Sequence, residues 1–150
     1  MIIIILGCGR VGSTMARAMF QDGHQVTVID QANEAFRRLG TKFKGHRIVG
    51  NGMDEDVLKR AGIENCDVFV SVTPGDNRNI MAAQIAFEVY KVPKVITRIN
   101  DPIRADTYRE LGIETLCGTT LLSGLMRDFV NTGEWAVPKD YNKEYLSLNS

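Results

Sequence analysis

The chain has 150 residues, with 18 Lys and Arg balanced by 18 Asp and Glu, and 44% of it is hydrophobic. That is enough for about one domain with a single sizeable core, and the composition excludes a largely disordered polypeptide. Zero net charge and a pI near 6.7 argue against a sequence-independent nucleic-acid binder, which needs surplus Lys and Arg on one face to neutralise phosphates.

The opening run of Met, four Ile and Leu is strongly apolar, but Gly7 ends it far short of the roughly 20 residues a bilayer requires. It also lacks the basic start and small-residue cleavage site of a signal peptide. It therefore reads as a first strand over residues 2–6. Similar short runs, rich in Ile and Val and bounded by Gly, Pro, Asn or Asp, predict strands at 25–29, 47–49, 68–72, 94–98 and 114–117. Strands that are apolar at consecutive positions are expected to be buried on both faces, as parallel strands are.

Helical patterns alternate with them at 11–22, 32–40, 54–61, 77–91, 102–111 and 119–132. Asn33, Asp54 and Asp76 are placed as start signals, and Gly40, Gly62 and Gly112 as left-handed stops. Six βα units in succession predict an α/β fold: a doubly wound, six-stranded parallel sheet of Rossmann type, strand order 3-2-1-4-5-6, closed by a C-terminal helix. Residues 1–132 are expected to form this domain. Residues 133–150 read as a loosely held extension, where a second domain would begin. Cys8, Cys66 and Cys117 lie far apart with no CxxC pairing, the pattern of a reduced cytoplasmic protein and not of a disulfide framework or zinc site.

Gly7-Cys8-Gly9-Arg10-Val11-Gly12 directly follows a predicted strand and opens a predicted helix. In that context Gly7 permits a tight turn, Gly9 lets the backbone approach a pyrophosphate, and Gly12 lets the helix pack closely on the sheet. Ser13 can add a hydroxyl donor. A glycine-rich turn without a ligand is the alternative. Asp30 ends the second strand 18 residues after Gly12, where a carboxylate can accept both hydroxyls of an adenosine ribose and repel a 2′-phosphate. A ligand with an adenosine ribose is thus expected and NADP is disfavoured. Capping of the next helix is the competing role for Asp30.

Arg10 can grip a terminal phosphate in bidentate fashion; a solvated arginine on a helix face explains it equally well. After the third strand, Asn51, Gly52 and Met53 are placed to edge an adenine. After the fourth, Thr73 lies beside the point where the strand order reverses. Ordinary turn chemistry accounts for the same residue types. Arg98 closes the fifth strand and offers charge to a phosphate or an interface. His24 and His46 are isolated and read as surface turn residues. No GxSxG, HExxH or Walker sequence occurs, and Cys8 reads as a small neutral side chain in the loop and not a nucleophile. These features point to binding and not to catalysis.

Taken together, the glycine loop, Val28-Ile29-Asp30, Gly50-Asn51-Gly52 leading into Asp56 to Ile63, Asp67 to Thr73 with Asp76 to Asn79, and Arg98-Ile99-Asn100-Asp101-Pro102 resemble the regulator-of-potassium-conductance family, also called RCK, KTN or TrkA N-terminal domains. The resemblance covers roughly residues 1–132. It implies a cytoplasmic gating subunit, not an enzyme, that binds ADP, ATP or NAD(H) through Gly7, Gly9, Arg10, Gly12 and Asp30, with Arg10 near the distal phosphate. It further implies a homo-oligomer, a dimer or an octameric ring, held at the inner face of the plasma membrane by a potassium channel or transporter subunit.

Many members end the sixth strand in Pro-Glu, whose Glu joins a divalent-cation site. Here the matching residues are Cys117-Gly118-Thr119-Thr120, so no metal site is carried over. Many also have a second, smaller domain, so this chain is expected to be a short form or part of a longer one. Leu121, Leu122, Leu125, Met126, Phe129 and Val130 form an apolar stripe that either covers its own sheet or crosses to a partner copy, with Trp135 and Val137 extending it. The rival from another class is the NAD(H)-binding domain of an oxidoreductase or redox sensor, which explains the glycines and Asp30 but leaves Arg10 without a role.

Overall fold

Four isoleucines and a leucine leave the first strand, β1 (Ile2–Leu6), no polar face, so its stable place is at the centre of a sheet covered on both sides. The computed structural model describes residues 1–135 and puts it there. β2 (Gln25–Asp30) and β4 (Val68–Ser71) flank β1 in parallel, with Ile3 opposite Val26 on one side and Val68 on the other. β3 (His46–Val49) extends the sheet beyond β2, while β5 (Lys94–Arg98) and β6 (Glu114–Leu116) extend it beyond β4. The order is β3-β2-β1-β4-β5-β6, as the sequence predicts.

The two-residue side-chain period of a strand divides the core. Ile3, Ile5, Val28 and Val70 pack with Ala16 of α1 (Arg10–Gln21) and with Phe36, Leu39 and Phe43. Ile4, Leu6, Ile29 and Phe69 face the opposite way, against Leu58 of α2 (Glu55–Arg60) and Ala82 and Ala83 of α3 (Asp76–Gln84). Each fully buried Ile contributes about 1.5–3 kcal/mol. A third, smaller cluster joins Ile80 and Ile99 to Ala105 of α4 (Pro102–Glu110) and to Cys117. The last helix, α5 (Gly118–Thr132), buries only Gly124. Among the described residues no helix is long and apolar enough to cross a membrane.

Several local expectations need correction. Residues 33–39 form a 3₁₀ helix, not an α-helix. The Ala35 and Gly40 amides close three-residue turns onto the carbonyls of Ala32 and Arg37, and the Cys8 thiol donates to the Ala35 carbonyl at 3.4 Å from another loop. The pattern at 54–61, by contrast, holds as α2 with its flanking caps, and Gly62 stops it in the left-handed region with φ +86° and ψ +30° before a separate short turn at Ile63–Asn65. The pattern at 77–91 is α3 continued by a π-turn at Ile85–Val89. Asp54 does cap α2, accepting from the Asp56 and Val57 amides. Asn33 caps nothing, and Asp76 lies inside α3, where it accepts instead from the amides of Asn100 and Asp101 at 2.9 and 3.0 Å. Asp101 caps α4, although Asp-Pro at a helix start was a readable signal.

Candidate functional site

The strand order reverses between β1 and β4, and there the loops leaving their carboxyl ends diverge, one toward each face of the sheet. A crevice at this position is the expected ligand site of a doubly wound fold. A cavity of about 310 Å³ occupies it. Its walls come from Gly7, Cys8 and Gly9 after β1, Asp30, Gln31, Ala32 and Ala35 at and after the end of β2, and Thr73 and Pro74 after β4, with Gly52 and Leu6 also contributing.

The three glycines of the first loop have separable causes. Gly7 has φ +106°, and its amide donates to the Ile29 carbonyl at 2.8 Å. A Cβ there would also press on Val72 and Thr73 backbone atoms at 3.0 Å. At Gly12 a Cβ would stand 1.9 Å from the Gly7 oxygen, so α1 can lie this close to the loop only with glycine. Gly9 is different: its φ is −75° and a Cβ would meet nothing within 4 Å. Neither strain nor packing among the described residues requires glycine there.

The first intrahelical bond of α1 runs from the Ser13 amide to the Gly9 carbonyl, and no side chain caps this helix. The amides of Gly9, Arg10, Val11 and Gly12 therefore stand at a helix N-terminus, the arrangement that favours an anion. The Ser13 hydroxyl does not join them. It is buried and donates back to the Arg10 carbonyl at 3.3 Å, correcting its expected role.

Asp30 is held from two sides. The Cys8 amide donates to its Oδ2 at 2.7 Å and the Ala32 amide to its Oδ1 at 2.9 Å. Both oxygens keep lone pairs for a further donor, and the carboxylate is fixed at the cavity wall. The side chain orders the turn after β2 without capping the 3₁₀ helix that follows, and it lies on the cavity wall. Cys8 contributes through its backbone. Its thiol is fully buried, and burial, with the Asp30 charge second, pushes its pKa up to about 11. A thiol kept protonated in this way is a poor nucleophile.

Opposite Asp30, Thr73 is fixed by Asn79. The Thr73 amide and hydroxyl both donate to Asn79 Oδ1, at 2.8 and 2.7 Å, and Asn79 Nδ2 donates to the carbonyls of Thr73 and Arg98, each at 2.9 Å. Arg98 Nη2 donates to the Thr73 carbonyl at 2.7 Å, so Arg98 braces the loop from behind and is not on the cavity wall. Asn51 Oδ1 accepts from the Met53 amide at 3.1 Å, which is turn chemistry. Gly52 alone of that loop reaches the cavity, lying so close over Leu6 that a Cβ would stand 2.3 Å from its Cδ1. Arg10 and Val11 are exposed on the first turn of α1 and do not line the cavity. His24 lies 3.4 Å from the amino terminus, and His46 is exposed on β3.

Sequence reasoning missed Arg38 and Arg78, which line the cavity from the 3₁₀ helix and from α3, and it missed the bracing role of Asn79. The signals were faint. Each arginine sits in a polar helix turn, and only the fold brings that turn to the crevice. Among the described residues no group of three or more His, Cys, Asp and Glu could hold a metal ion.

A family model described as the TrkA-N domain matches residues 3–118, from β1 to the start of α5. The chain is 52% identical to the Trk system potassium uptake protein TrkA of Streptomyces coelicolor over 114 residues, 76% of this chain and 51% of that protein. It is 35% identical to a TrkA homolog of Methanothermobacter thermautotrophicus over 114 residues, 76% of this chain and 52% of that one. The chain thus spans about half the length of these relatives.

Among solved structures, the TrkA-N domain of the inner membrane protein ybaL from Escherichia coli superposes with a TM-score of 0.75 at 17% identity, covering 85% of this chain and 95% of that one. GsuK bound to ADP gives 0.74 at 17% identity, covering 88% and 34%. The AMP-bound Shewanella denitrificans Kef CTD gives 0.73 at 18% identity, covering 98% and 92%. These structural likenesses establish the fold, and with the family match over β1 to β6 they lead to one conclusion: the chain belongs to the TrkA-N domain family.

Proposed function

We propose that this chain is a nucleotide-binding regulatory subunit of a potassium transporter or channel, acting by binding and not by catalysis. The observation that carries the reading is the pairing across one cavity of a fixed acceptor, Asp30, with an uncapped helix N-terminus behind a glycine that nothing among the described residues requires. An adenosine ribose on Asp30 places its 5′-phosphate over the Gly9 to Gly12 amides. The relatives named for potassium uptake and the neighbouring structures titled as bound to ADP and AMP support both halves of the reading; a further one is titled as the GsuK channel bound to NAD.

In this reading the subunit works in the cytoplasm, docked on a membrane-embedded partner, and as a homo-oligomer. Leu122, Met126 and Val130 of α5 are exposed, and Phe129 stacks on Trp135 with ring centroids 4.3 Å apart. This apolar stripe faces solvent instead of its own sheet, which suits a helix crossing to a second copy; Val137 lies outside the described residues. Nucleotide binding biases the angle between subunits only to the extent that its affinity differs between the two arrangements.

The test is calorimetry and thermal unfolding with ATP, ADP, AMP, NAD, NADH and NADPH. A ligand at about 100 times its dissociation constant adds roughly 2.7 kcal/mol of stability, and Asp30→Ala abolishes the gain. Absence of binding by every nucleotide refutes the reading. Hydride transfer to a small carbonyl would favour the oxidoreductase alternative instead.

A further inference from the structure

In the run Asp76-Asn77-Arg78-Asn79 at the start of α3, three side chains are engaged within the chain. Asp76 accepts from two amides of the loop before α4, Asn77 accepts from Arg104 at 2.6 Å, and Asn79 braces Thr73. Arg78 makes no hydrogen bond or ion pair among the described residues, is exposed, and lines the cavity beside Thr73 and Pro74. Across the cavity, Asp30 is the sole acidic side chain on the wall, with Arg38 on its side and Arg78 on the other.

The strands set the axis of the site. Asp30 ends β2, the glycine loop follows β1, and Arg78 rises behind β4, so the three stand in the order of neighbouring strands β2-β1-β4. Two strand spacings, roughly 10 Å in all, separate the ends of that row. A ribose on Asp30 and one phosphate on the α1 amides reach only the middle. Whatever extends beyond that phosphate comes to Arg78. Arg10 points from an exposed turn that is not on the wall.

Resting on the nucleotide reading above, we propose that Arg78 is the specificity residue for the phosphate farthest from the ribose, so that the cavity selects nucleoside di- and triphosphates over monophosphates. A planar guanidinium suits a terminal phosphate, which offers it two oxygens. NAD shares the two phosphates of ADP, and its second ribose and cationic ring stand where the third phosphate of ATP would, so the charge at Arg78 favours ATP over NAD.

The experiment is calorimetric titration of the full chain with ATP, ADP, AMP and NAD, for wild type, Arg78→Gln, Arg78→Lys, Arg10→Gln and Asp30→Ala, with thermal unfolding of each variant. Arg78→Gln collapses the ATP-to-AMP affinity ratio by about tenfold or more and narrows the gap between ATP and NAD. Arg78→Lys retains part of the ratio, and it also serves if the Gln variant fails to fold. Arg10→Gln, off the cavity wall, leaves the ratio standing. An unchanged ratio in Arg78→Gln, or a ratio erased by Arg10→Gln, overturns the assignment. Wild type that binds no nucleotide, or Asp30→Ala that binds as wild type does, sinks the nucleotide reading and the assignment with it.

Discussion

At the residue scale, glycines of one motif have opposite physical reasons, and this can be tested. A methyl at Gly12 stands 1.9 Å from a backbone oxygen, so Gly12→Ala forces α1 off the loop. A loss of about 1–3 kcal/mol, the usual range for overpacking, is expected in denaturant unfolding. Gly9→Ala meets open space and costs less than about 1 kcal/mol as a poorer helix cap. Its effect falls instead on nucleotide affinity, read by calorimetry. A large stability loss at Gly9 would refute the assignment of that position to a ligand.

Cys8 gives the pH prediction at the same scale. Its folded pKa, about 11, lies above the ordinary value near 9.0, so the native state holds its proton where the unfolded chain releases it. The stability this contributes is complete below pH 9 and is lost as pH rises toward 11. The amount is roughly 2–3 kcal/mol. Cys66, also raised by burial, adds in the same direction. Cys8→Ser or Cys8→Ala, compared by unfolding at pH 8 and pH 10.5, should flatten the decline.

At the scale of elements, the loop after β4 depends on one side chain contributed by the helix that follows it. Asn79→Ala takes their buried partner from the Thr73 amide and the Arg98 carbonyl and leaves the Thr73 carbonyl to Arg98 alone. A destabilisation on the order of 3 kcal/mol follows, together with weaker nucleotide binding as the Thr73 wall loosens. Asp54→Ala tests a simpler device: it removes the cap of α2 at a cost of about 1 kcal/mol, with nucleotide affinity retained. Helix starts were legible where the capping carboxylate serves its own helix, as at Asp54. They were misread where it serves a different one, as at Asp76, because the loop before α4 is distant in sequence. The 3₁₀ form of residues 33–39 was not separable by pattern either, because seven residues are too few for a period of 3.0 and one of 3.6 to diverge.

At the scale of the whole molecule, the exposed stripe on α5 predicts self-association. Met126→Glu with Val130→Glu places charge on side chains that make no core contact in this chain. The variant should keep its unfolding midpoint within about 0.5 kcal/mol of stability and sediment as a monomer of 16.7 kDa under conditions where the parent is larger. Equal sedimentation of both proteins would remove α5 from the interface.

The division between sequence and structure follows from the range of the interactions. The Ile-rich β1, the alternation of strand and helix and the glycine–aspartate pair were readable from sequence because short-period burial patterns and local turn chemistry determine them, and the strand order followed from the doubly wound fold type those features indicate. Only the tertiary structure decided which residues face the crevice. It placed Arg98 behind the Thr73 loop, turned the Ser13 hydroxyl away, and brought Arg38 and Arg78 to the wall. A side chain's neighbours across the reversal between β1 and β4 are tens of residues away along the chain, and no local pattern encodes that distance.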